Sequence, residues 1–177
     1  MTKFRRLSEE TVFEGRIFEV ARGTFEDPEG RRFARDIMHH PGAVATVPID
    51  GDDIILVRQY RPALDALMLE IPAGLRDVAG EPTEETARRE LIEEVGLAAE
   101  SLELLTTIHN AAGYCDELIT IYLATGLTPV TREPTDSPEE LAMEVVRVPL
   151  VEAGQMIADG EITDAKTVVG VLATLRR

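Results

Sequence analysis

At 177 residues, with 44% hydrophobic and 29% charged side chains, the chain has the composition of a globular protein long enough to bury one core. No apolar run reaches the roughly 18 residues needed to cross a bilayer, and no apolar stretch follows the basic start Met1-Thr2-Lys3-Phe4-Arg5-Arg6, which makes the cytosol the expected compartment. A net charge of -15 argues against nucleic acid or anionic membrane as partners, and the single cysteine, Cys115, leaves no internal disulfide.

Arg16 to Phe25 and Arg31 to His39 read as two strands around the turn Asp27-Pro28-Glu29-Gly30, giving an N-terminal β-hairpin segment over 1–40 and a main domain over 41–177. Ala43 to Ile49 and Ile54 to Tyr60 are apolar and β-branched, and the intervening Asp50-Gly51-Asp52 suits a tight turn. The period then changes. From Glu84 to Val95, Ala87, Leu91 and Val95 recur every four residues, which predicts a helix with Thr83 as N-cap and Gly96 as its left-handed stop. Further strands are expected at Leu102 to Ile108, Leu118 to Ala124 and Met143 to Val148. Two helices close the chain, Leu150 to Ala158 and Asp164 to Leu175, the second behind a Thr163 cap. This order of elements predicts an α+β fold, a mixed sheet packed between helices.

The stretch Glu81 to Leu97 reads EPTEETARRELIEEVGL. On a helix, Glu90, Glu93 and Glu94 fall within an arc of roughly 100°, beside the apolar stripe. Like charges at these spacings cost about 0.2–0.5 kcal/mol per pair, and acids in a last turn oppose the helix dipole. A divalent cation with a taste for hard oxygen ligands would repair the arrangement. The plainer alternatives are a solvated acidic face, or an ion pair between Arg89 and Glu93 four residues on. His39, His40 and His109 stand outside this stretch and are read as structural.

The run Glu81, seven residues, then Arg89-Glu90-Leu91-Ile92-Glu93-Glu94-Val95-Gly96-Leu97 resembles the box of the Nudix hydrolase family, with six residues between Gly74 and Glu81 where that pattern has five. Gly42-Ala43-Val44, Gln59-Tyr60-Arg61 and Glu70-Ile71-Pro72-Ala73-Gly74 extend the resemblance to the ADP-ribose pyrophosphatase branch, which usually carries a proline where this chain has Ala112. The resemblance implies a Nudix fold and magnesium-dependent hydrolysis of a nucleoside diphosphate sugar, ADP-ribose first, with manganese as a possible substitute. It implies that Glu90 and Glu94 ligate the metal, that Glu93 ligates or supports it, and that the main-chain carbonyl of Ala73 completes the site. Arg61 would bind substrate, with Glu70 beside it or in a structural ion pair. The hairpin would exchange across a homodimer and bring Arg35 near the partner's site.

Hydrolysis also needs a base. By the same resemblance it comes from a loop outside the box, Ser137-Pro138-Glu139-Glu140, with Glu139 first, Glu140 second, and Glu93 or Glu70 behind them. Rival readings are another nucleoside diphosphate sugar or a dinucleotide polyphosphate as substrate, a silent sensor of ADP-ribose, and an acidic interaction protein. A silent sensor should show a broken box, and this box keeps all its carboxylates.

Overall fold

A computed structural model of the chain describes residues 3–132 and 138–177, the side chains of Glu139 and Glu140 excepted. The described residues group into two units, one drawn from Met1–Gly42 and His109–Leu118, the other from Ala43–Ile108 and Ile119–Arg177.

In the first unit the expected hairpin is present as β2 (Glu19–Glu26) and β3 (Arg32–His39), and a strand that the sequence did not announce, β1 (Arg5–Glu14), pairs antiparallel with β2. β1 reads RRLSEETVFE and is exposed along almost its whole length, so it lacks the alternation that betrays a half-buried strand. In the turn, Asp27 Oδ1 accepts from the main-chain N–H groups of Glu29 (2.9 Å) and Arg31 (2.8 Å), and Gly30 takes φ 84°. The segment 109–118 docks on β3: Met38 N–H donates to the Tyr114 carbonyl at 2.7 Å, and Asp116 N–H to the Met38 carbonyl at 3.1 Å. His39 sits between Asp116 (2.6 Å) and Glu9 (2.9 Å), and the bond to Asp116 raises its pKa. That is the structural role expected of it.

The second unit is built on β4 (Ala43–Asp50), β5 (Asp53–Arg61), β6 (Ala66–Glu70), β7 (Ala73–Leu75), α1 (Thr83–Val95), β8 (Leu97–His109), β9 (Leu118–Pro129), α2 (Pro138–Leu141), β10 (Glu144–Pro149), α3 (Leu150–Ala158) and α4 (Ala165–Leu175). The strand order is β10-β5-β4-β9-β8; β6 adds to the far half of β5, and β7 pairs with the start of β4. β4 runs parallel to β9 and antiparallel to its other partners, so the sheet is mixed.

Both faces of β4 are buried, because helices cover both sides of the sheet. Ala45 and Val47 face Ala153 of α3 and Val171 of α4, while Val44 meets Ala87 of α1 together with Tyr122. Leu91 and Val95 complete the α1 side against Ile55 and Val57. The helix stripe therefore does what its spacing foretold.

The caps differ from expectation. Pro82, not Thr83, is the N-cap of α1, and the Thr83 hydroxyl shares a 2.7 Å hydrogen bond with the Tyr122 hydroxyl. Gly96 ends α1 as expected, at φ 67° and ψ 35°. Asp164, not Thr163, caps α4, its Oδ2 accepting from Thr167 N–H at 3.0 Å, where a carboxylate also suits the positive end of the helix dipole. Among the described residues no helix is long and apolar enough to cross a membrane.

Candidate active site

α1 lays its apolar stripe on the sheet, and this carries Glu94 and Glu90 down beside β7. Glu94 is only 7% exposed, and its Oε2 accepts the Ala73 N–H at 2.8 Å. Glu90 lies one turn earlier, its carboxyl pressed against Gly74: a Cβ built on Gly74 would fall 1.9 Å from the Glu90 carboxyl carbon. Glycine here serves close approach.

Burial in low dielectric raises both groups. Glu94 is pushed up to about 8 by desolvation, with the neighbouring Glu90 charge adding to it against the hydrogen bond from Ala73. Desolvation likewise pushes Glu90 up to about 7, against Arg89 and with the help of Glu93. Two desolvated carboxylates flank a strand that leaves them room by having no side chain at Gly74. A donor set of that chemistry fits a hard divalent ion.

The third box carboxylate is differently engaged. Arg89 donates from Nη1 to Glu90 (2.6 Å) and Glu93 (3.1 Å) and from Nη2 to Glu81 (3.4 Å). The ion pair weighed as an alternative for Glu93 is thus present. Among the described residues no three acidic, imidazole or thiol groups gather closely enough to cage a cation alone. Arg89 draws two of the carboxylates to itself while Glu94 turns to Ala73. Glu81 is lowered by the hydrogen bond from Thr86 (2.7 Å) and by Arg89. Beside this cluster a groove of about 340 Å³ is lined by Glu81, Glu85, Arg88, Arg89, Ile92 and Glu93.

Arg61 ends β5 and Glu70 ends β6, antiparallel neighbours in which Arg61 stands opposite Ala66 and Glu70 opposite Val57, so it is the length of the arginine side chain and not the strand register that brings the two together. Arg61 donates from Nε and Nη2 to the two Glu70 oxygens, each at 2.6 Å. Burial alone would raise Glu70, but the bond from Arg61 and the charges of Lys166 and Arg61 hold it at about 2. The structural ion pair is therefore formed at Glu70, while Arg61 stays 41% exposed. Lys166, which also reaches Glu70, was invisible to motif reading because it lies 96 residues away.

Arg35 lies on β3 of the first unit, its guanidinium 4.9 Å from the centre of the Phe33 ring and Nη1 donating to the Ala34 carbonyl. The side chains of Glu139 and Glu140, expected to supply the base, lie outside the described residues.

Residues 38–168 match the NUDIX domain family. The chain is 42% identical over 171 residues to an ADP-ribose pyrophosphatase of Mycobacterium tuberculosis, covering 96% of this chain and 82% of that protein. It is 35% identical over 168 residues to an ADP-ribose pyrophosphatase of Bacillus subtilis, covering 94% and 90%. The crystal structure of an ADP compounds hydrolase superposes with a TM-score of 0.86 at 32% identity, over 98% of this chain and 93% of the other.

Proposed function

From the premise that the chain belongs to the Nudix hydrolase family, we propose that it hydrolyses the diphosphate of ADP-ribose to AMP and ribose 5-phosphate with magnesium, manganese serving as a substitute. The observation that carries this reading is the pair Glu90 and Glu94, two buried carboxylates beside Gly74 whose charge burial opposes. The names of the two pyrophosphatase relatives favour ADP-ribose.

In this reading Glu90, Glu94 and the Ala73 carbonyl hold the metal, and Glu93 ligates it or supports it through Arg89. The ion supplies charge neutralisation at the diphosphate and activation of the attacking water. Arg61, anchored by Glu70, offers its solvent-facing edge to a phosphate oxygen. Glu139 takes the proton from the water, with Glu140 as its alternate. Box carboxylates committed to a cation are poor bases, which is why the proton goes to a group outside α1. Segment 1–40 exchanges across a homodimer and brings Arg35 toward the partner's site. The exposed Phe4, Val12, Phe13 and Ile17 supply apolar surface for that contact. A cytoplasmic location fits the substrate.

The test is incubation with magnesium and a panel of nucleoside diphosphate compounds, with product identification. ADP-ribose should show the highest kcat/KM and yield AMP and ribose 5-phosphate. Faster cleavage of another nucleoside diphosphate sugar would overturn the substrate and point to the Ala112 position, and binding without cleavage would make the chain a sensor.

A further inference from the structure

Every residue of Glu70–Ala73 is held from outside its own strand. Lys166 Nζ donates to Glu70 Oε2, the oxygen that also receives Arg61 Nη2. Ile71 N–H donates to Thr167 Oγ1 at 2.9 Å, and that hydroxyl donates to Asp164 Oδ2 at 2.6 Å. The Pro72 carbonyl accepts from Thr46 N–H at 2.9 Å, and Ala73 N–H donates to Glu94. Two of these four grips come from the first turn of α4, where Thr167 is fully buried and Lys166 is 8% exposed.

Glu70 is 2% exposed, and a carboxylate so desolvated binds whatever cation is nearest. With Arg61 as its only partner it would turn with that guanidinium and draw it inward, away from an incoming anion. Lys166 changes the balance. It shares the Glu70 charge from the buried side, and is itself paired with Asp164 at 3.1 Å, whose other oxygen caps α4. Arg61 is thus fixed in direction by two hydrogen bonds while Nη1 has no hydrogen-bond partner among the described residues. In a chain of net charge -15, a cation fixed in this way matters for capturing a diphosphate.

We infer that Lys166 is a positioning residue for substrate binding: by sharing the charge of Glu70 it keeps the outer edge of Arg61 aimed and available for the diphosphate. The inference rests on the reading of Arg61 as a substrate-binding residue, and extends it to a helix that carries no part of the box.

The test is steady-state kinetics with magnesium on ADP-ribose, or on whichever nucleoside diphosphate sugar the wild-type chain cleaves fastest, with thermal unfolding followed for each variant. Lys166→Met should raise KM about tenfold with kcat changed by less than about threefold, a size ordinary for coupled neighbours. Lys166→Gln keeps a donor for Glu70 but no charge and should raise KM likewise; it carries the test where Lys166→Met does not fold. Lys166→Arg should restore KM to within about threefold of wild type. In a Glu70→Gln background the substitutions at Lys166 should add almost nothing, since the charge they act through is gone. A folded Lys166→Met or Lys166→Gln protein with wild-type KM, or effects that multiply with Glu70→Gln, overturns the inference while leaving Arg61 in place. Arg61→Ala with unchanged KM, or a wild-type chain that cleaves none of these compounds, removes both together.

Discussion

Arg132 donates from Nε to the main-chain carbonyl of Glu93 at 2.7 Å, across 39 residues of sequence. α1 has no basic residue in its own last turn and carries Glu93 and Glu94 there, so its negative pole is left uncompensated from within. Arg132 supplies both a donor for one of the terminal carbonyls and a positive charge at the right end. Arg132→Ala should cost about 1–2 kcal/mol, the range of a charged hydrogen bond together with a dipole contact. Urea unfolding would read this directly, and an unchanged midpoint would refute it.

Gly74→Ala tests the approach of β7 to the box. The added methyl meets the Glu90 carboxyl group at 1.9 Å, far inside contact distance, so either Glu90 or the strand must move. Overpacking of this kind costs about 1–3 kcal/mol. The expected result is a folded, less stable protein whose magnesium affinity falls with its turnover, seen by calorimetric titration beside the activity assay.

For Glu94 the folded pKa lies at about 8, above its ordinary value of 4.5. A carboxylate raised in the folded state costs stability once pH rises above the unfolded value, and the full cost is present above the folded one. Glu94→Gln removes the charge and keeps an oxygen for the Ala73 N–H. In chelator at pH 8 the variant should therefore melt at the same temperature as wild type or higher. It should lose both the stabilisation that magnesium gives wild type and the activity. A variant that melts well below wild type in chelator, or stays fully active, contradicts this.

Glu70 carries the opposite sign. Held at about 2 in the fold against an ordinary 4.5, it contributes stability that is fully present above about pH 4.5 and is lost as pH falls toward 2. The contribution is on the order of 3 kcal/mol. Acid titration of unfolding free energy should show a steep loss between pH 4.5 and 2 in wild type and a shallower one in Glu70→Gln. Parallel curves would mean that Glu70 is not the group that titrates.

Glu139→Gln should lower kcat by about 10² to 10⁴, the usual worth of a general base. Magnesium affinity and substrate Kd should barely change. Glu140→Gln is the matching control. Near-normal kcat in both variants and in the double variant would pass the role to Glu93 or Glu70.

The helix and its carboxylate face were readable because a 3.6-residue period leaves its mark in consecutive residues: Ala87, Leu91 and Val95 face the core as their spacing said. β6 and β7 were not, being five and three residues long, separated by Pro72, and defined only by partners on β5 and β4. β1 escaped for a different reason, having no buried face to impose alternation. In the site, Glu90 and Glu94 could be named from the motif, but the desolvation that raises them depends on the sheet beneath. Lys166 and Thr167 could not be named at all. Their partners Glu70 and Ile71 lie 96 residues earlier, and nothing local in Asp164-Ala-Lys-Thr distinguishes a helix start that grips a strand from one that does not.

The parallel register of β4 with β9, residues 43–48 beside 119–124, also sets a timetable. Antiparallel neighbours joined by short turns can zip as soon as both are made, whereas this pair must wait for a long loop to close, and distant pairing of that sort slows folding. During synthesis the whole of α1 is made before Tyr122, which packs with Val44 and Ala87. For that interval the sheet under the box lacks its parallel strand, and α1 has only part of the core that will hold it.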